Sequence, residues 1–74
     1  MTKKLTEAGK GEEYEIVDFG DDTTKLLMMR WGLAVGQVIK CLARLGPVII
    51  AKNRQKLAIG RNLANKIIVR AVQA

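Results

Sequence analysis

Closely spaced turn residues limit this chain to short secondary-structure elements. Residues 9–11 and 20–22 are turn-forming triplets, and Gly32 and Gly36 follow soon after them. Pro47 cannot donate a hydrogen bond to a sheet ladder, so it marks the first residue of a strand. The connections that remain are too short for the crossover that parallel neighbouring strands require. We therefore predict antiparallel strands joined by tight turns.

The segments between these turns have the composition of strands. β-Branched residues are frequent in them, and apolar and polar residues alternate in the first one. The predicted strands are residues 14–19, 37–44, 48–52, 57–59 and 67–71. Five short strands must curl to protect their edges. We predict a mainly β structure, a small antiparallel barrel with one short helix, as a single domain over residues 1–74.

The predicted strand over residues 37–44 presents two different faces, because successive side chains point to opposite sides of a sheet. One face carries Ile39, Cys41 and Ala43, and the other carries Val38, Lys40, Leu42 and Arg44. The first face is apolar and suits the core. The second mixes apolar and basic side chains and is expected to face outward.

The longest predicted helix covers residues 23–31. Asp22 or Thr23 is expected to cap its first turn, since an aspartate or threonine oxygen accepts a bond from a free backbone N–H. Gly32 is expected to end the helix in the left-handed conformation, with Leu33 folding back toward Met28. Replacing Gly32 by a residue with a Cβ atom should cost about 1 kcal/mol or more.

Three smaller turns complete the predicted structure. Residues 5–8 form one turn, and residues 53–55 form another in which Asn53 takes the left-handed conformation. Asn62 is expected to cap a single helical turn that runs to Lys66.

Charge is divided unevenly along the chain, which carries a net charge of +6. Residues 1–22 hold all seven acids and three lysines, a net charge of −4, whereas residues 23–74 hold ten bases and no acid, a net charge of +10. Such polarity indicates either an anionic partner or a fold that brings the two parts together. In a closed barrel we expect some of the acids to face bases across the sheet.

The chain lacks the residues of most catalytic and metal chemistry. It has neither His nor Ser, so Ser-His and Cys-His dyads are impossible, and we predict no catalytic residues and no enzyme. One thiol without imidazoles does not make a transition-metal site. Asp18, Asp21 and Asp22 match no calcium loop and are better explained as a helix-capping turn. We predict no cofactor and no bound metal.

The sequence also limits where the protein works. Cys41 has no disulfide partner, which favours a buried thiol in a reducing compartment. The longest apolar stretch, residues 48–51, is far shorter than the ~20 residues that span a bilayer. No hydrophobic signal follows Lys3 and Lys4. We therefore predict a cytoplasmic protein without direct membrane insertion.

The order of several short motifs resembles the ferrous iron transport protein A (FeoA) family. The resemblance runs from Leu5 to Val69. Its most specific element is Leu27-Met28-x-x-Trp31-Gly32-Leu33-x-x-Gly36. The other elements are Leu5-x-x-Ala8-x-Lys10-Gly11, Ile16-Val17, Val38-Ile39 and Leu57-Ala58-Ile59, followed by Arg61, Ala64, Ile67 and Val69. Gly11, Gly32 and Gly36 are the expected structural turns.

The resemblance implies an SH3-like β-barrel and a small cytosolic accessory of the ferrous iron permease FeoB. That permease is a membrane protein whose cytoplasmic G domain hydrolyses GTP. The accessory is expected to dock on its cytoplasmic part and to modulate transport without binding iron itself. The residues expected to contact this partner are Arg30, Trp31, Val38, Lys40, Leu42 and Arg44. Trp and Arg often dominate interface energetics, although Trp31 would equally serve to plug the end of the barrel.

Two other functions stay open from the sequence. A nucleic-acid-binding small barrel would place Lys52, Arg54, Lys56 and Arg61 along phosphates, but the evenly spread bases and scarce aromatic rings lead us to expect no nucleic acid. An SH3-like domain related to iron-dependent repressors is the other, although the chain has no helix-turn-helix. Self-association through an exposed strand edge also stays open.

Overall fold

The computed structural model describes residues 1–72, and six strands form one antiparallel sheet. The strands are β1 (Thr2–Lys4), β2 (Glu13–Asp18), β3 (Val38–Ala43), β4 (Val48–Lys52), β5 (Gln55–Ile59) and β6 (Ile68–Ala71). A 3₁₀ turn (Leu5–Glu7) and two helices, α1 (Asp22–Arg30) and α2 (Arg61–Ala64), connect them. The predicted mainly β, antiparallel fold with one helix of more than a single turn is confirmed.

The strand order is β1-β6-β2-β3-β4-β5, which differs from a simple meander. Strands β2 to β5 are consecutive neighbours, as predicted, but β6 returns to lie between β1 and β2. Strand β1 was not predicted, because its three residues have no apolar alternation and form a strand only through pairing with β6. Within residues 1–72, β1 and β5 remain edges of the sheet, so the predicted barrel closure is only partial.

One apolar core fills the concave side of the sheet. It consists of Leu5, Ala8, Tyr14, Ile16, Phe19, Met28, Leu33, Ile39, Cys41, Val48, Ile50, Ile59, Ala64, Ile67 and Val69. Tyr14 is the most polar large side chain among them, and its hydroxyl is satisfied on both sides. It accepts the Gly9 N–H at 2.6 Å and donates to the Glu12 carboxylate at 2.8 Å. Burial raises the pKa of the Tyr14 hydroxyl, so it stays a donor at neutral pH.

Helix α1 begins one residue earlier than predicted. Asp21 is its cap rather than Asp22 or Thr23, because Asp21 has the extended backbone and its carboxylate accepts the Thr24 N–H at 2.7 Å. The Lys66 ammonium lies 3.3 Å from the other carboxylate oxygen. The bond from Thr24, and then Lys66, lowers the pKa of Asp21.

The end of α1 is as predicted. The Gly32 N–H donates to the Met29 carbonyl and the Leu33 N–H to the Met28 carbonyl, each at 3.0 Å, and Gly32 has a φ of +80°. This is the Schellman arrangement, in which the residue after the left-handed position folds back onto the last turn. Leu33 is buried as a result.

The smaller turns agree with the sequence in part. Asn53 has a φ of +54°, which confirms its left-handed conformation. The prediction that Asn62 caps a helical turn is wrong. Helix α2 already begins at Arg61, so the preceding residue is Gly60, and no side chain caps it.

At Gly20 the backbone of another segment of the chain approaches closely. Its φ is +85°, and a Cβ atom there would lie 2.6 Å from the carbonyl oxygen of Lys66. Backbone at this distance cannot move aside cheaply. Gly11 has nearly the same φ of +84°, yet a Cβ atom there would meet nothing within 4 Å.

These two glycines give a matched prediction for stability. Gly11→Ala should cost about 1 kcal/mol, because it adds only the strain of a left-handed alanine. Gly20→Ala should cost about 3 kcal/mol, because the clash with the Lys66 carbonyl adds to the same strain. Urea denaturation of both variants measures the difference. Equal losses would show that the close approach to Lys66 contributes nothing.

Cys41 leads to a prediction about reactivity. It is fully buried on β3, and burial raises the pKa of its thiol, so the reactive thiolate is scarce at neutral pH. A disulfide reagent at pH 7.5 should therefore label the folded protein at least about tenfold more slowly than the urea-denatured protein. Glutathione under the same conditions gives the reference rate of a free thiol. A folded-state rate equal to that of glutathione would contradict the buried placement.

Candidate partner-binding surface

The register of β3, β4 and β5 sets a row of side chains on the outer face of the sheet. Lys40 lies opposite Ala51, and Ala51 lies opposite Lys56. Residues directly opposite one another share a face, and the neighbouring Cys41 and Ile50 are buried on the other one. Because strands lie about 4.8 Å apart, the Lys40 and Lys56 backbones are about 10 Å apart with only a methyl group between them.

The row continues into β2 and carries charge of both signs. Glu13 lies opposite Lys40. Two residues along the strands, Val38 lies opposite Glu15, and Glu15 accepts two bonds from the Arg70 guanidinium, at 2.9 and 2.6 Å. The expectation that acids face bases across the sheet is therefore confirmed for Glu15 and Arg70.

A β-bulge at Leu42 changes the second half of β3. Cys41 lies opposite Ile50 and Ala43 opposite Ile49, so Leu42 is an extra residue without a partner of its own. The prediction that Ala43 shares the buried face of Ile39 and Cys41 is wrong, because Ile49 and Ile50 point to opposite faces. Ala43 and Ile49 instead continue the outer face toward Ala58 of β5.

Arg30 and Trp31 lie on a different part of the molecule, at the end of α1. Both are exposed, and Trp31 keeps 38% of its surface accessible, so it neither plugs the sheet completely nor projects freely. The Lys52 ammonium donates to the Gly32 carbonyl and joins this helix end to β4. Lys52 follows Ala51 in β4, so its side chain leaves the sheet on the concave side rather than on the outer face.

The six residues predicted to contact a partner therefore do not form one patch. Val38 and Lys40 belong to the outer face, and Leu42 is half-buried in the bulge. Arg44 lies about 20 Å along the chain from Val38, where its carbonyl accepts from the Arg61 guanidinium at 2.8 Å. The structure thus offers two candidate surfaces, the outer sheet face and the end of α1.

The exposed apolar side of α1 was not predicted from the sequence. Leu26 and Met29 are three residues apart and expose 66% and 53% of their surfaces. A depression of about 490 Å³ beside them is lined by Thr23, Leu26, Leu27 and Arg30. The available signal was the run from residue 26 to 29, which is apolar on every side of the helix, so it had to leave some of these side chains exposed.

Within residues 1–72, acids and bases are paired in one part of the molecule. The ion pairs found among residues 1–72 are Lys66 with Asp21 and Arg70 with Glu15. Both join the acidic first part of the chain to the region around β6. The exposed bases of α1 and of the segment from β3 to β5 form no ion pair within the same range of residues; they include Arg30, Lys40, Arg54 and Lys56. The end of α1 and the part of the outer face from β3 to β5 are therefore basic, whereas the β2 part of that face carries Glu13 and Glu15.

The described residues bring together no group of three His, Cys, Asp or Glu side chains that would hold a metal ion. Neither helix in this part of the chain has the length and apolar character that a membrane crossing requires.

Comparison with known proteins agrees with this architecture. The chain is similar to a crystal structure described as iron uptake regulatory protein (FeoA), with 32% sequence identity and a TM-score of 0.87 over 97% of this chain and 99% of that one. It is also similar to the solution structure of the FeoA protein from Chlorobium tepidum, with 29% identity and a TM-score of 0.80 over 96% of this chain and 71% of that one. No curated protein matches the chain.

More distant structures share the fold alone. IdeR from T. acidophilum is 18% identical, with a TM-score of 0.86 over 96% of this chain but only 34% of its own. A manganese-dependent transcriptional repressor is 17% identical, with a TM-score of 0.81 over 96% of this chain and 42% of its own. The predicted SH3-like fold is confirmed by these similarities.

The family model described as the FeoA domain matches residues 3–71. This range contains every strand apart from the first residue of β1, together with both candidate surfaces. The chain therefore belongs to the FeoA family, whose members act in iron uptake.

Proposed function

We propose that this protein is a cytoplasmic accessory of ferrous iron uptake that docks on the cytoplasmic part of the FeoB permease and modulates transport. In this proposal it neither binds iron nor catalyses a reaction, and it reaches the inner face of the membrane through its partner. The observation that carries the proposal is the match to the FeoA domain over residues 3–71, which is nearly the whole chain. The identity of the partner as the FeoB permease rests on the family resemblance.

The charge distribution supports docking on an acidic protein face. The outer sheet face carries Lys40 and Lys56 around the small Ala51, and none of the residues from 23 onward is acidic. Complementary charges at the rim of an interface speed association and fix orientation more than they add affinity. A low, flat floor between two lysines admits a carboxylate without steric conflict.

The end of α1 supplies a candidate anchor for the same partner. Trp31 is partly exposed beside Arg30, and Trp and Arg are the residue types most often found at the energetic centre of interfaces. The neighbouring Leu26 and Met29 add exposed apolar area. Apolar residues exposed together on one side of a helix are typical of surfaces that another molecule covers.

Binding to the isolated cytoplasmic part of the permease tests this function. Arg30→Ala and Lys40→Ala should each weaken binding by about 1 kcal/mol, roughly fivefold, because each removes an exposed base from a candidate surface. Titration calorimetry or a pull-down against immobilised permease domain gives the comparison. Lys4→Ala is the matched control, since it removes an exposed base from β1 at the other edge of the sheet.

Two results would count against the proposal. If wild-type protein fails to bind the permease domain, the proposed docking is wrong. Equal binding by wild-type protein and all the variants would show that Arg30 and Lys40 do not contribute to the contact. A gel-shift assay of wild-type protein with RNA or DNA tests the alternative of nucleic-acid binding. It is run at low salt, because binding to phosphates falls steeply as salt rises.

A further inference from the structure

We propose that the free edge of β5 takes an extended acidic segment of the permease's cytoplasmic part as a seventh strand of the sheet. This inference rests on the proposed function and specifies the contact by which docking occurs. It makes β5 a site of strand addition, in which main-chain hydrogen bonds supply affinity and alternate side chains supply specificity.

Strand β5 has only one neighbour among the described residues. It pairs with β4 along its whole length, from Lys52 opposite Gln55 to Val48 opposite Ile59. No other backbone of residues 1–72 forms a hydrogen bond with it. Gln55, Lys56 and Ala58 are exposed, so the free edge of β5 is open to an incoming chain.

The geometry of the hairpin shows which backbone groups are free. Asn53 and Arg54 form a two-residue loop, so the flanking pair of Lys52 and Gln55 is of the hydrogen-bonded kind. Pairs in an antiparallel ladder alternate between hydrogen-bonded and non-hydrogen-bonded. The next pair therefore turns the N–H and C=O of Lys56 away from β4, and the same holds for Ala58 two residues later.

The charge of the incoming strand follows from the row on the outer face. That row runs from Glu13 through Lys40 and Ala51 and ends at Lys56. A residue added next to Lys56 would lie directly opposite its side chain, where opposite charges stabilise a sheet. Arg54 in the adjoining loop is a second exposed base. An acid at this position of the incoming segment is the matching choice.

The other face of β5 determines the residues on either side of that acid. Leu57 points to the concave side, is only half-buried, and packs against the core. An apolar residue beside it would complete its burial. The segment that fits the edge therefore alternates acidic and apolar residues.

A second copy of this chain does not meet these requirements. Residues 54–58 contain two bases, a glutamine and no acid, so the β5 edge of a second copy would offer no acid to Lys56. Lysine on an edge strand is a common device against pairing between copies. The same charge that opposes self-pairing favours an acidic strand.

Binding of a synthetic peptide of about eight residues, alternating Glu and Val, tests the chemistry of the edge directly. Hydrogen exchange followed by NMR should show slower exchange of the Lys56 and Ala58 amides when the peptide is present, because strand addition would bury them. Lys56→Glu should weaken binding about 3- to 30-fold and should instead favour a peptide of alternating Lys and Val. The peptide rich in Lys is the control for wild-type protein.

Two further variants separate strand addition from simple charge attraction. Ala58→Pro removes an outward N–H without breaking the ladder to β4, and it should weaken peptide binding about fivefold or more. Lys4→Glu on the opposite edge strand should leave peptide binding unchanged. Circular dichroism of each variant checks that the sheet is intact.

The results distinguish this inference from the proposed function. If wild-type protein, Lys56→Glu and Ala58→Pro all bind the permease domain equally, the edge contact is wrong and docking stands. If wild-type protein does not bind the permease domain, the proposed function fails. The peptide titration alone then tests whether the edge of β5 binds an acidic strand. Peptide binding that leaves the Lys56 and Ala58 amides unprotected, or protection that rises with protein concentration alone, would overturn the inference.

Discussion

The return of β6 between β1 and β2 is the constraint on which the rest of the sheet depends. Arg70 lies opposite Thr2 on one side and Glu15 on the other, so β6 joins the two earliest strands of the chain. The Leu5 N–H also donates to the Ile67 carbonyl at 2.9 Å just before this strand. Without β6, β1 would have no neighbour and β2 would lose one of its two.

The same strand accounts for the charge asymmetry of the sequence. The segment around β6 brings Arg70 to Glu15 and Lys66 to Asp21, so part of the acidic first region is neutralised inside the molecule. Exposed ion pairs of this kind each contribute little to stability. Their larger effect is on the surface, because the uncompensated positive charge is left on α1 and on strands β3 to β5.

The sequence predicted those features of the fold that depend on local chemistry. A helix that ends at Gly32 takes a positive φ there whatever the later course of the chain, and Asn53 suits the left-handed position of a tight turn. The backbone conformation of both residues could therefore be predicted. The features that it could not predict depend on pairing between distant segments. Strand β1 exists only because β6 lies beside it, and the bulge at Leu42 shows only in the register with β4. The candidate site followed the same division, since Lys40 was placed outward correctly, whereas the edge position of Lys56 required the strand order.

The position of the single tryptophan has a practical consequence. Trp31 is the only indole in the chain, and it is partly accessible at the end of α1, away from the outer sheet face. Its fluorescence therefore reports on the candidate surface at the helix end. A partner that covers the helix end would move indole emission to shorter wavelength. The unmodified protein thus carries an optical probe for contact at this surface.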